Sequence, residues 1–198
     1  MARSRDISKV LSSNTNIALD SELGLSLITP TSIVATGGSG SISSTGAVSF
    51  TSASAISVVG CFTSTYDSYK IMYFSDISTS GRIRMRLLNN TTPLTTNSYI
   101  RSQVSTNGSS PTQDSGSDTL WELSGYDSST LSMTADLTIV NPFKAQQTLI
   151  SGIHGNTSPR HLSISQNRQT DSTSFDGFQL ISTSGTITGT IRVYGYRN

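Results

Sequence analysis

The sequence contains few of the residue types on which cross-linking, metal binding and long-range charge effects depend. It has one cysteine and two histidines in 198 residues, and charged residues make up only 13%. A single thiol cannot form an internal disulfide, so stability must come from packing or from association with other copies. His154 and His161 have no Cys/His cluster at ligand spacing, which argues against a metal site and favours surface loops.

Charge and long apolar runs are equally scarce. The formal net charge is +1, and no cluster of Lys and Arg suggests a nucleic-acid partner. No segment approaches the roughly 18 apolar residues that a membrane helix needs. The N-terminal region lacks the apolar stretch of a signal peptide, which predicts a soluble product made in the cytoplasm.

Sequence motifs for catalysis are missing as well. There is no GxSxG elbow, no P-loop and no recognisable Cys–His nucleophile pair. Asp114, Asp118 and Glu122 could supply paired carboxylates, although any loop with three acids has this appearance. The sequence therefore predicts a protein that is not an enzyme and uses no cofactor.

What the chain does contain is β-strand patterning. About a third of the residues are Ser or Thr, and apolar residues alternate with polar ones in many short runs. The clearest run, 186–196, predicts a strand that completes a sheet. One side of that strand carries the following residues: Ile187, Gly189, Ile191, Val193 and Gly195.

Similar runs joined by Gly, Asn, Asp and Ser turns predict an all-β fold, an antiparallel jelly roll or β-sandwich. The predicted strands are 47–52, 55–63, 68–77, 81–88, 97–104, 119–124, 130–140, 147–153, 160–166, 174–182 and 186–196. The break at 105–118 is predicted to be the longest loop, either a recognition loop or a solvated connection. Cys61, in a mostly apolar run, is predicted to be buried.

Composition divides the chain into three parts. Residues 1–24 mix charges with a few apolar residues and are predicted to form a separate N-terminal arm. Residues 25–46 include the small, polar stretch 36–46 and are predicted to be a linker or a first irregular strand. Residues 47–198 are predicted to form the β-sandwich domain.

Two features are candidates for binding. Arg82, Arg84 and Arg86 alternate with apolar residues, so one strand face carries three guanidinium groups. This stripe could bind an anionic glycan or an acidic surface of another subunit, but a solvated face with cross-strand acids is the favoured interpretation. Trp121 and Tyr126 could stack on sugar rings, although core packing is the commoner role for aromatic residues on strands.

Both ends of the chain resemble structural proteins of tailed bacteriophages, particularly those that infect marine bacteria and cyanobacteria. The resemblance lies in the opening SRDISKVLSSNT and the closing FDGFQLISTSGTITGTIRVYGYRN. The segments YKIMYFSDISTSGRIRMRLLNN and MTADLTIVNPFKAQQTLISG are similar in style to the same proteins. The resemblance implies a virion-docking arm followed by the jelly-roll head of a fibre or capsid decoration protein, commonly a homotrimer.

These implications define the expected function. The chain is expected to be a non-enzymatic virion surface protein, made in the host cytoplasm, whose partners are other virion proteins and a host-surface glycan. The alternatives are a purely stabilising capsid cement protein and a carbohydrate-binding β-sandwich. Residues of the arm predicted to dock on the virion, through apolar anchors and positive charges, are Arg3, Arg5, Ile7, Lys9, Val10 and Leu11.

Overall fold

The computed structural model describes residues 24–106, 111–123, 131–157 and 161–196. Within these ranges the chain forms sixteen β-strands and no helix, so the all-β prediction is confirmed. All pairings are antiparallel, and the strands form two sheets that pack against each other as a β-sandwich. No element in the described ranges is a helix with the length and hydropathy to cross a membrane.

The larger of the two sheets contains ten of the described strands. Its order is β10-β9-β14-β13-β12-β6-β16-β4-β3, and β1 pairs with β16 beside this path. The strands are β1 (Leu25–Ile28), β3 (Ser39–Ile42), β4 (Val48–Ala53), β6 (Ser68–Ile77), β9 (Tyr99–Thr106), β10 (Pro111–Asp118), β12 (Leu131–Val140), β13 (Thr148–Asn156), β14 (Leu162–Gln169) and β16 (Ile187–Tyr196).

The smaller sheet contains six of the described strands. Its order is β11-β7-β15-β5-β2, and the short β8 pairs with β7. The strands are β2 (Ser32–Thr36), β5 (Ala55–Val59), β7 (Ile83–Asn89), β8 (Thr92–Pro93), β11 (Trp121–Glu122) and β15 (Gly177–Ser182).

The strands at the centre of the sandwich follow a jelly-roll path. From β4 onwards the chain crosses from one sheet to the other between β4 and β5, β5 and β6, β6 and β7, β8 and β9, β10 and β11, β11 and β12, β14 and β15, and β15 and β16. These crossings place β4-β16-β6-β12 in the large sheet and β5-β15-β7-β11 in the small sheet. Eight strands exchanged between two sheets in this way form a jelly roll.

The core lies between the two sheets and follows the predicted alternation. On β16, Ile187, Ile191 and Val193 are buried, so the side of the strand on which they were predicted to lie together faces the core. The thiol of Cys61 is also fully buried, as predicted, and burial raises its pKa. Burial of large apolar side chains is the main favourable term in holding such a sandwich together.

Two segments that were predicted to lack regular structure are strands. The stretch 36–46 contains β3, which pairs with β4, and the stretch 105–118 contains β10, which pairs with β9 along its whole length. The prediction of a long loop at 105–118 is therefore wrong. The sequence did not reveal this strand because β10 lies at the edge of the sheet. Its side chains are exposed or half-buried, so neither face needs apolar residues and no alternation marks the strand.

Four strands extend the large sheet beyond β12, in the order β13, β14, β9 and β10, and we call them the wing. On β14 of the wing the usual distribution of polar and apolar side chains is reversed. Ser163, Ser165 and Asn167 are at most 4% exposed, whereas Leu162 is 47% and Ile164 is 59% exposed. The outward face of the wing is therefore the apolar one.

Candidate functional site

The most unusual surface of the protein is an apolar area on the outward face of the large sheet. Ten large hydrophobic side chains are exposed among the described residues, and seven of them lie on this one face on strands β6, β9, β13 and β14. We call these seven residues the apolar face: Met72, Phe74, Val104, Leu149, Ile153, Leu162 and Ile164. A contiguous exposed patch of this kind usually marks an interaction site.

Strand register places the residues of the apolar face in neighbouring rows of the sheet, with Asp136 between two of them. Met72 on β6 lies opposite Asp136 on β12, and Asp136 lies opposite Ile153 on β13. Ile153 lies opposite Ile164 on β14, which in turn lies opposite Val104 on β9. These five strands form four steps of about 4.8 Å, so the row spans about 19 Å across the sheet.

A depression of about 440 Å³ lies at one end of the apolar face. Phe74 and Leu162 stand in one cross-strand row with two small residues, Thr134 and Gly155, between them. A Cβ on Gly155 would lie only 2.6 Å from the carbonyl oxygen of His161, so the close approach of β13 and β14 requires glycine there. The small residues form the floor between two large apolar side chains.

Charges of both signs border this depression. The Lys70 ammonium is 2.9 Å from the Asp136 carboxylate, and this hydrogen bond raises the pKa of Lys70. Arg192 lies opposite Met72 on the other side, and it forms no ion pair with any residue that the structure describes. An exposed guanidinium beside an apolar depression can bind a carboxylate or a phosphate group.

The arginine stripe lies on the opposite sheet, and each of its three side chains contacts a group within the chain. Arg82 is 2.7 Å from Glu122, and Arg84 is 3.8 Å from the same carboxylate. The Nε atom of Arg86 donates a hydrogen bond to the carbonyl oxygen of Thr119 at 3.2 Å. The structure thus favours the interpretation of a sheet face with a cross-strand acid over that of an open glycan site.

The structure describes one of the two aromatic residues that were candidates for stacking on sugars. Trp121 is fully buried, its ring lies 5.0 Å from that of Tyr99 in an edge-to-face arrangement, and its indole nitrogen donates to the carbonyl of Arg168. A side chain buried in this way packs the core and presents no face to a sugar. Tyr126 and the predicted docking residues of the arm lie outside the described residues.

Both histidines are buried, so their predicted placement on surface loops is wrong. His154 is 1% and His161 is 3% exposed, because each lies on the inward side of the sheet. Burial, together with the neighbouring His161, lowers the pKa of His154 to about 4, and neither of its ring nitrogens has a hydrogen-bond partner. Burial and the charge of Arg82 lower the pKa of His161. The described residues contain no group of three or more metal-ligating side chains.

Asp114, Asp118 and Glu122, which the sequence offered as possible paired carboxylates, do not form a pair. Asp114 is 2.8 Å from Arg101 on the wing, and Asp118 accepts a hydrogen bond from the backbone of Thr119. Glu122 belongs to the small sheet and is bound to the arginine stripe. Each carboxylate therefore has its own partner, and no two of them share a site.

Sequence reasoning missed the apolar face as a functional surface. The alternating run Leu162-Ser163-Ile164-Ser165 does signal a strand, but the period is the same whichever side is buried. Periodicity alone would assign the Leu and Ile side to the core. Only the placement of the wing beyond the jelly-roll strands shows that this side faces outward.

The chain matches no protein-family model, no curated protein and no solved structure.

Proposed function

We propose that the chain is a non-enzymatic structural protein of a tailed-bacteriophage virion. In this proposal it is a surface appendage, a tail fibre or a head fibre or decoration, and its partners are other virion proteins. The observation that carries the proposal is the apolar face, since seven exposed large side chains on one rigid sheet suit assembly better than solvation. The resemblance of the two chain ends to phage structural proteins supports the same assignment.

The proposal divides the work between the two parts of the chain. Residues 1–24 dock on the virion, with Ile7, Val10 and Leu11 as apolar anchors and three basic residues setting the register. The sandwich that follows forms the head, which is exposed at the virion surface and can contact host-surface glycan. The homotrimer common among the resembled proteins is part of this proposal.

Deletion of the arm tests the docking role. Particles produced without the wild-type protein should incorporate the full chain and fail to incorporate a chain that lacks residues 1–24. Circular dichroism and the emission of Trp121, which is buried in the core, serve as the folding control. Incorporation of the folded, truncated chain at the wild-type level would contradict the docking role of the arm.

A capsid cement protein is the first alternative, and its task would be mechanical. The apolar face is compatible with this role, because clamping neighbouring capsid subunits also buries an apolar surface. Purified protein would then bind preformed capsids and raise the temperature at which they release DNA. An appendage for attachment would instead bind host envelope material saturably and leave capsid stability unchanged.

The depression on the large sheet favours a second candidate, a carbohydrate-binding module. Phe74 is 44% exposed beside the depression, and Arg192 can bind a carboxylate-bearing sugar. Binding to an array of host polysaccharides should then be lost in Phe74→Ala. Phe143→Ala is the matched control, because Phe143 is 37% exposed and is not among the residues that line the depression.

A further inference from the structure

We propose that the apolar face is the contact between two copies of this chain, related by a two-fold axis that lies in the plane of the face. This inference goes beyond the proposed function, because it names the occupant of the surface and holds whether or not the protein belongs to a virion. Three observations carry it: the area of the face, the position of its charges and the correspondence of its apolar residues under a two-fold axis.

The area is of the size that a specific dimer uses. The seven side chains of the apolar face are between 41% and 59% exposed. Together they present roughly 600 Å² of apolar surface, at the upper end of the largest patch on a typical monomer. A stable interface buries about 800 Å² on each partner, and its centre is more apolar than its rim. The apolar face supplies that centre, and the Ser and Thr residues around it supply the rim.

Two opposite charges lie at opposite corners of the face. Asp76 lies on β6, opposite Ser132, whose hydroxyl donates to its carboxylate. Arg168 lies on β14, opposite Leu149. Strand spacing and rise place the two corners about 30 Å apart. Neither Asp76 nor Arg168 forms an ion pair with another described residue.

A two-fold axis midway between these corners makes the face complementary to itself. The midpoint lies between Asp136 and Ile153, at the centre of the apolar face. Rotation about an in-plane axis there, perpendicular to the line between the corners, brings Arg168 of each copy to Asp76 of the other. A two-fold contact always forms such pairs twice, because the same patch is used on both subunits.

The apolar residues correspond under the same rotation. On a flat lattice with the spacing of the sheet, Phe74 of one copy falls beside Leu149 of the second, and Ile164 falls beside Leu162. Apolar groups therefore meet apolar groups and the two corner charges meet their opposites. The two copies of Asp136 face each other near the axis, each paired with Lys70 of its own chain. A strongly acidic or basic partner would leave one of the two corner charges without a counterpart, which favours a second copy as the occupant.

The first test uses the mass of the full-length protein by sedimentation velocity. Wild type should form an even number of copies, a dimer or a hexamer if a trimer contact exists elsewhere. Ile164→Lys replaces the most exposed apolar side chain of the face with a charge and should lower the association constant at least 100-fold. Val34→Lys is the matched control and should associate like wild type, because Val34 is 50% exposed on β2 of the other sheet.

A wild-type monomer at high protein concentration, or equal association of wild type and Ile164→Lys, would overturn the proposal. Association that appears only when residues 1–24 are removed would overturn it as well, because the arm would then be the occupant of the face. Neither result bears on incorporation into particles, so a failure of this inference and a failure of the proposed function can be told apart.

A charge exchange tests the two-fold geometry. Arg168→Asp and Asp76→Arg should each weaken association about tenfold at low salt, because each places like charges together at both corners. The double variant Arg168→Asp/Asp76→Arg should restore the wild-type constant. If the double variant associates as weakly as the single ones, the two corners do not meet and the proposed axis is wrong.

Discussion

Ile153 and Ile164 lie directly opposite each other on β13 and β14, and both side chains are more than half exposed. A cross-strand pair of β-branched residues stabilises a sheet, and at an exposed position it also offers apolar surface to a partner. The same pairing therefore serves the wing and the interface that we infer.

Because this pair is exposed, we expect it to contribute little to the stability of the isolated sandwich. The double substitution Ile153→Thr/Ile164→Thr should lower the free energy of unfolding by less than about 1 kcal/mol, because threonine keeps the β-branched shape and no core cavity forms. Urea denaturation at a concentration where the protein is monomeric measures this. Ile71→Thr is the contrast, since Ile71 is 1% exposed and should cost about 2–4 kcal/mol. Equal losses in the two variants would mean that the pair is part of the core.

Because burial lowers the pKa of His154, we expect the protein to lose stability in acid. Its pKa is about 4 in the folded protein, below the unfolded value of about 6.5, so the unfolded state binds the proton more tightly. The contribution is fully present above about pH 6.5 and is lost as the pH falls towards 4, by at most about 3 kcal/mol.

Replacement of this histidine isolates that effect. His154→Leu should flatten the dependence of the unfolding free energy on pH between about 6.5 and 4, measured by urea denaturation at several pH values. His161 contributes a separate share, because its pKa is also lowered, so His154→Leu/His161→Leu should flatten the curve further. An unchanged pH dependence in both variants would show that the histidines do not titrate as the structure implies.

Glu122 is a buried acid whose charge the arginine stripe needs, so its removal should lower the stability of the protein. Its side chain is 8% exposed and lies near Arg82 and Arg84, each about a third exposed. Glu122→Gln removes the negative charge that Arg82 and Arg84 share and should cost about 1–3 kcal/mol, reduced by solvent screening of the arginines. Asp136→Asn breaks the exposed ion pair with Lys70 and should cost less than about 1 kcal/mol. A larger loss in the second variant would contradict this ranking.

Gly189 occupies a position in the central strand β16 at which no side chain fits. A Cβ there would lie 2.0 Å from the carbonyl oxygen of Phe74, at the point where the register of β16 with β4 shifts. Gly189→Ala should therefore cost at least about 3 kcal/mol or prevent folding. Gly116→Ala on the edge strand β10 should change stability by less than about 0.5 kcal/mol, since its nearest neighbour would be Arg101 at 4.0 Å. Thermal melting of the two variants compares them directly.

The sequence predicted the strands that carry an apolar side to the core. β6, β12 and β16 were located almost to the residue, because a row of large apolar residues on one side leaves a period of two that can be read directly. β10 could not be located in this way. Its conformation depends on pairing with β9, and its sequence PTQDSGSD has no large apolar residue to reveal it.

The candidate surface was beyond the reach of sequence patterns for a different reason. Alternation on β14 shows that Leu162 and Ile164 share a side, but which side faces the core depends on neighbours that are distant in the chain. The same holds for His154 and His161, whose burial depends on how β13 and β14 are oriented in the wing. Trp121 was an aromatic residue of undetermined role until its packing against Tyr99 was seen.

In the structure that we propose, a second copy of the chain covers the apolar face. The solution mass of the full-length protein, measured by light scattering across a range of concentrations, tests this most directly. We expect an even number of copies whose population rises with concentration and falls in the Ile164→Lys variant. A mass of one copy at every concentration would contradict it.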